Sequence, residues 1–253
     1  EMARWFRSHP TGMLYLGDQF IVDLLVWYHI AWMGETVRRN NARLTQLMEK
    51  GHGYTLHDRR VLLRIIGELL SSVIDRYRVL AENGQIELSM TPYAHPIVPL
   101  LLDLDTAREA MPETGMPRDG AYPGGRERVE WHIREGLESF EQYFGHKPTG
   151  CWPSEGGISA ATLEVLEEHG FMWAASGESV FRHSMNHDDN SALADASLYQ
   201  AFTLEKGKLS CFFRDDGLSD LIGFTYSDWH ADDAVSNLVQ HLENIAASTQ
   251  AQE

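Results

Sequence analysis

Glu155 stands in the segment Gly150-Cys151-Trp152-Pro153-Ser154-Glu155-Gly156-Gly157-Ile158-Ser159. A short apolar stretch precedes it, and two glycines and a helix start follow. Glycines at that place remove side-chain bulk where a ligand would approach. A carboxylate there can act as nucleophile, general base or metal ligand. It can also do no more than interact with the orphan N–H groups of the next helix. Trp152 sits three residues earlier, and an aromatic ring beside a carboxylate suits a sugar as well as a core. His95 lies between Ala94 and Pro96, just past another strand candidate. Its imidazole can hydrogen-bond a substrate hydroxyl, ligate a metal or cap a helix. Asp215, Asp216 and Asp220 crowd one turn after Phe212-Phe213-Arg214. Neighbouring carboxylates need cations, hydrogen bonds or solvent to stay ionised together. Arg214 is the cation at hand, and a solvated N-cap cluster is the plainer reading. Trp27, Tyr28 and Trp32 form first of all a packing stripe, although Trp32 at a helix end could also line a sugar cleft.

These residues need elements to hold them. Residues 18–40 read as a helix with Asp18 as N-cap and Phe20, Leu24, Trp27 and Ala31 at helical spacing. Residues 56–82 read as a long helix with the apolar stripe Leu62, Ile65, Ile66, Leu69, Leu70, Val73 and Ile74, stopped by Asn83-Gly84. Strand candidates are 85–91, 149–152 and 171–175, with 199–203 and 209–214 as a pair. Helices are expected over 125–144, over 159–169 with Ser159 as N-cap, and over 232–247. Residues 182–198 are polar and irregular and read as an exposed insertion. Short apolar strands alternating with amphipathic helices predict a parallel α/β sheet or barrel. In such folds the chemistry sits in loops at the C-terminal ends of the strands, where Glu155, His95 and the Asp215–Asp216 pair all fall.

The composition removes several alternatives. The 253 residues carry 37 acidic and 21 basic side chains, a formal charge of −16. A duplex-binding protein needs a basic face, and an anionic membrane surface prefers one too. No apolar run of 18 residues is present, so no membrane span is expected. Neither nucleic acid nor membrane is an expected partner. Cys151 and Cys211 are the only cysteines, too few for a disulfide framework, and are expected as reduced, buried thiols. The expected location is cytoplasmic. His-x-His, His-Glu-x-x-His and Cys-x-x-Cys are absent, as are the Gly-x-Ser-x-Gly elbow and the nucleotide-binding glycine motifs. The metal case is therefore weak, and nucleotide binding has no sequence warrant.

Taken in order, four segments resemble glycoside hydrolase family 57, and within it the α-amylase and amylopullulanase-like members. They are Val26-Trp27-Tyr28-His29-Ile30-Ala31-Trp32, Gly84-Gln85-Ile86-Glu87 with Tyr93-Ala94-His95-Pro96, Trp152-Pro153-Ser154-Glu155-Gly156, and Phe212-Phe213-Arg214-Asp215 with Leu218-Ser219-Asp220-Leu221-Ile222-Gly223-Phe224. The resemblance implies a seven-stranded (β/α) barrel with a retaining site for an α-glucan or maltooligosaccharide, and no metal or cofactor. On it Glu155 matches the nucleophile, His95 a histidine near the reacting sugar, and Trp152 a wall of that subsite. The family's opening His-Gln-Pro strand and its Leu-Asp-Gly-Glu-Asn acid strand are not found among the 253 residues.

The expectation is therefore an incomplete barrel segment over 1–253, lacking its first strand and its C-terminal strand or strands. It would work with the remaining parts of the same catalytic domain and be inactive alone. Asp215 is a fallback acid, and Asp216 is a cleft residue. Two further readings stay open. One is a degenerate barrel that binds α-glucan through Trp152, Trp173 and Trp32 without cleaving it. The other is a metal-dependent polysaccharide deacetylase or mannosidase, for which His95 and the Asp215 cluster would have to supply ligands.

Overall fold

The computed structural model describes residues 8–9, 11–12, 16–118, 120–185 and 198–250. The chain divides into two compact units, residues 1–77 and 78–253.

The first unit is helical: α1 (Asp18–Trp32), α2 (Glu35–Asn40), α3 (Ala42–Lys50) and most of α4 (Leu56–Glu82). The expected 18–40 helix is broken at Met33-Gly34, and Gly17 rather than Asp18 is the N-cap. The buried side of α1 is Val26 and Ile30, with Val22 and Met33 packed alongside. It is not the expected Phe20–Leu24–Trp27–Ala31 side: Leu24 and Trp27 are exposed. α1 is apolar all round, so spacing alone does not choose its face; the partners Leu44, Leu47, Tyr54, Leu62 and Ile65 do. On α4, Leu62 and Ile65 are buried as expected, whereas Leu70 and Val73 are exposed. A reciprocal cap starts α4. The Thr55 N–H donates to Asp58 at 2.7 Å, and the Asp58 N–H donates to the Thr55 hydroxyl at 3.3 Å, the capping-box arrangement.

The second unit carries a four-stranded sheet of β1 (Ser89–Met90), β2 (Gly150–Cys151), β3 (Trp173–Gly177) and β4 (Ser210–Arg214). Their order is β1-β2-β3-β4 and every pairing is parallel. The crossovers hold α5 (Val98–Leu102), α6 (Ala107–Ala110), α7 (Gly125–Phe144), α8 (Ala160–Glu168) and α9 (Glu178–Met185). After β4 come α10 (Asp216–Gly223) and α11 (Ala231–Gln250). This is the predicted α/β organisation around a parallel sheet. β1, β2 and β4 are shorter than predicted, and β3 keeps the predicted length but begins two residues later, at Trp173. Residues 199–203 do not form a strand: Phe202 makes a single antiparallel bridge to Cys211, while β4 pairs in parallel with β3.

One core joins sheet and helices, with Met90, Cys151 and Ala174 from the strands against Val129, Ile133 and Phe140 of α7 and Leu163, Val165 and Leu166 of α8. Ser159 caps α8 as expected, its hydroxyl accepting from the Thr162 N–H at 3.2 Å. Cys151 and Cys211 are buried free thiols, and burial pushes them up to about 12 and about 11. Of the expected insertion 182–198, residues 186–197 lie outside the described residues. Residues 182–185 finish α9, and Leu198 is buried. Among the described residues no helix is long and apolar enough to cross a membrane.

Candidate active site

Four parallel strands present four C-terminal ends on one edge of the sheet, and the loops there build the site. At the end of β1 the chain turns through Ala94 and His95, both left-handed with φ 59° and 60°. Helix α7 holds this turn. Gly136 lets it approach closely: a Cβ there would stand 2.5 Å from the Met90 methyl carbon. One turn earlier, His132 clamps Tyr93 from both sides. The Tyr93 N–H donates to the His132 carbonyl at 3.1 Å, and His132 Nδ1 donates to the Tyr93 carbonyl at 2.8 Å. A carbonyl can only accept, so that bond fixes the proton on Nδ1.

At the end of β2, the Trp152 N–H donates to the Met90 carbonyl at 2.9 Å, and the Thr91 hydroxyl donates to the Trp152 carbonyl at 2.9 Å. Both ends of the Trp152 backbone are thereby tied to β1. Pro153 follows, and then Glu155 takes a left-handed conformation (φ 54°, ψ 18°) within a single turn of 3₁₀ helix over Ser154–Gly156. Its carboxylate Oε1 accepts from His95 Nε2 at 3.0 Å. Both side chains remain open, His95 at 55% and Glu155 at 76%. They are paired with each other and still accessible to a substrate.

At the end of β4, Arg214 donates from Nε and NH2 to one oxygen of Asp216, at 2.9 and 2.7 Å. Its guanidinium lies over the Trp152 ring, 5.8 Å from the centroid, within cation–π range. An open cleft of about 280 Å³ runs between these groups, lined by His95, Trp152, Glu155, Arg214 and Asp216. Gly156, Gly177, Ser179 and Val180 complete its walls. The fit is close at Gly177, where a Cβ would lie 3.4 Å from the Asp216 carboxylate.

The sequence-selected residues thus separate into one cleft set and three residues placed elsewhere. Glu155, His95, Trp152 and Asp216 line one cleft. Asp215 is committed elsewhere: one oxygen caps α10 by accepting from the Leu218 N–H at 2.8 Å, and the other accepts from the Tyr199 hydroxyl at 2.7 Å. Burial first, and then this carboxylate, push the Tyr199 phenol above its ordinary value. Trp173 opens β3, four residues before the cleft glycine Gly177. It packs over Gly150 and its Nε1 donates to Glu87 at 2.7 Å. Trp32 belongs to the first unit, at the end of α1, and is 76% exposed. Among the described residues, no three His, Cys, Asp or Glu side chains converge as a metal ion would need.

Residues 14–252 match the family model "Glycosyl hydrolase family 57". The chain belongs to this family. None of the curated proteins matches it in sequence. Three solved structures are similar over most of this chain. The α-amylase AmyC of Thermotoga maritima is 14% identical over 81% of this chain and 32% of its own, with a TM-score of 0.47. The GH57-type branching enzyme of Pyrococcus horikoshii is 15% identical over 79% of this chain and 34% of its own, with a TM-score of 0.43. The GH57 branching enzyme of Thermococcus kodakaraensis is 15% identical over 82% and 36%, with a TM-score of 0.46. The family 57 chain described here spans about a third of the length of these structures.

Proposed function

We propose that this chain is the nucleophile-bearing part of a retaining α-glucan hydrolase or transglycosylase, built on a seven-stranded (β/α) barrel of which these four strands are a portion. One observation carries the reading: an exposed carboxylate, Glu155, held by His95 at the C-terminal edge of a parallel sheet and facing an aromatic wall, Trp152. Family membership supports a glycosidic bond as the target.

In this reading a Glu155 oxygen attacks the anomeric carbon. The bond from that carbon to the leaving oxygen breaks, and that oxygen takes a proton from a general acid. Water, or a sugar hydroxyl in transfer, then displaces Glu155 and gives its proton to the acid's conjugate base. Retention needs the acid's carboxyl about 5–5.5 Å from the nucleophile. His95 donates to one Glu155 oxygen and leaves the other to attack. Trp152 offers a flat apolar face to the sugar ring. Asp215 is bound to a helix cap and a phenol, and Asp216 to Arg214. We therefore assign the acid to a further carboxyl, and the isolated 253-residue chain should be inactive.

In the intact enzyme, Glu155→Gln should cut turnover of maltooligosaccharide on the order of 10³-fold or more with the fold intact. Near-normal turnover in that variant sinks the assignment. The engagement of both aspartates also favours a second reading, an α-glucan-binding barrel without catalysis. Calorimetric binding of maltooligosaccharide by the intact protein, with no reducing sugar released or transferred, would select it.

A further inference from the structure

Ser176 lies inside β3, fully buried, and lines no part of the cleft. Its hydroxyl donates to the Gly156 carbonyl at 2.5 Å. That carbonyl belongs to the residue that follows Glu155, in the second of two successive left-handed conformations (Glu155 φ 54°, Gly156 φ 68°). The contact is a close one at Gly156. A Cβ on Gly156 would meet the Gly177 nitrogen at 3.4 Å and the Ser176 hydroxyl at 3.6 Å. The loop that carries Glu155 therefore rests directly on β3, with a hydroxyl reaching across to fix the orientation of one peptide. Left-handed backbone at a non-glycine residue persists where its surroundings over-determine it. Here the Gly156 and Gly157 N–H groups close the turn by donating to the Pro153 and Ser154 carbonyls, at 2.9 and 3.0 Å. These bonds are local to the turn. His95 reaches the Glu155 side chain from the β1 turn; among the described residues, the Ser176 bond is the one that reaches the backbone of the turn from a neighbouring strand.

We infer that Ser176 is a positioning residue for Glu155: it locks the Gly156 peptide, and so the direction in which the carboxylate leaves the loop. The inference rests on the proposed nucleophilic role of Glu155. Ser176 touches neither substrate nor reacting atoms. Its loss should lower the rate of the attack while leaving sugar binding to Trp152 and the rest of the cleft.

The test compares Ser176→Ala, Glu155→Gln and Thr162→Val in the intact enzyme acting on maltooligosaccharide. Thr162 is a buried hydroxyl that bonds Ser159 at 3.0 Å and lines no part of the cleft, so it reports what losing a buried hydroxyl does by itself. Ser176→Ala should lower kcat by ~10- to 100-fold with KM within about twofold, the pattern of a lost transition-state interaction. The first-step rate, read as covalent capture of Glu155 by a fluorinated α-glucosyl fluoride and located by mass spectrometry, should fall by the same factor. Hydrogen exchange of segment 153–157 should quicken in Ser176→Ala and not in Thr162→Val. Ser176→Cys fills the same space with a poor donor, so it carries the same expectations if the alanine variant does not fold. Wild-type kcat in the Ser176 variant, with Glu155→Gln inactive, overturns the positioning role alone. An equal kcat loss in Thr162→Val overturns it too. Turnover retained in Glu155→Gln overturns the reading of the site itself.

Discussion

At Ala94, His95 and Glu155 the backbone is left-handed, and among the described residues no other non-glycine position is. All three stand in the two turns that bring the imidazole and the carboxylate to 3.0 Å. Such backbone costs an L-residue about 1–2 kcal/mol, so the strain is concentrated where the site is assembled. Ala94 is exposed and its side chain takes no part in the cleft. Ala94→Gly should therefore stabilise the protein by about 0.5–1 kcal/mol, after the added freedom of the unfolded chain is deducted. The shift should appear in the urea midpoint with the slope unchanged, and an unchanged or lower midpoint counts against the argument. Glu155 and His95 were legible in the sequence because glycines and a proline flank them. Ser176 and His132 were not. Each acts on a backbone carbonyl 20 or 39 positions away, and neither carries a local sequence mark. His132 reads as an ordinary residue of an amphipathic helix until α7 is seen against β1.

The elements were legible where one periodicity ruled. α4 and α7 run over 56–82 and 125–144 as their patterns predict, and Ser159 caps α8. α1 was misread because it has apolar residues on all sides. Three strands were drawn too long, β3 was placed two residues early and 199–203 is no strand, since alternation reports burial and not pairing. Gly150 shows how tightly these short strands are determined. A Cβ there would fall 2.1 Å from two ring carbons of Trp173, whose Nε1 is held by Glu87. The Thr149 hydroxyl and then this indole hold the Glu87 carboxyl below its usual range. In Gly150→Ala the indole must shift and give up Glu87. A loss of roughly 2–3 kcal/mol is expected from overpacking, read from the denaturant midpoint. A change below about 0.5 kcal/mol would show that the β2–β3 contact is looser than described.

At the scale of the molecule, acid acts on each unit through its hydrogen-bonded carboxylates. In the first, Lys50 and then the Thr55 N–H and hydroxyl lower the Asp58 carboxyl to about 2 from an ordinary 3.8. Folding thus favours the ionised form. The stabilisation is fully present above about pH 4 and is lost as pH falls toward 2. Asp58→Asn should lower the stability of this unit at neutral pH, and the two curves should converge near pH 2. Parallel curves would remove Asp58 from the acid response. Trp27 reports on this unit, because its Nε1 donates to the Gly51 carbonyl. The net charge of −16 belongs to this scale as well. It neither attracts nor repels an uncharged sugar, so on the proposed glucan-active reading turnover should depend little on ionic strength.

The two buried cysteines give the sheet a reporter of its own. Cys151 is the last paired residue of β2, four positions before Glu155, and Cys211 lies in β4. With thiols this well shielded, a disulfide reagent can react only when the sheet opens. Its pseudo-first-order rate is then a clock for native-state opening beside Glu155. Cys211→Ala leaves a single dial, Cys151. The same clock would show whether a bound oligosaccharide stills the floor of the site.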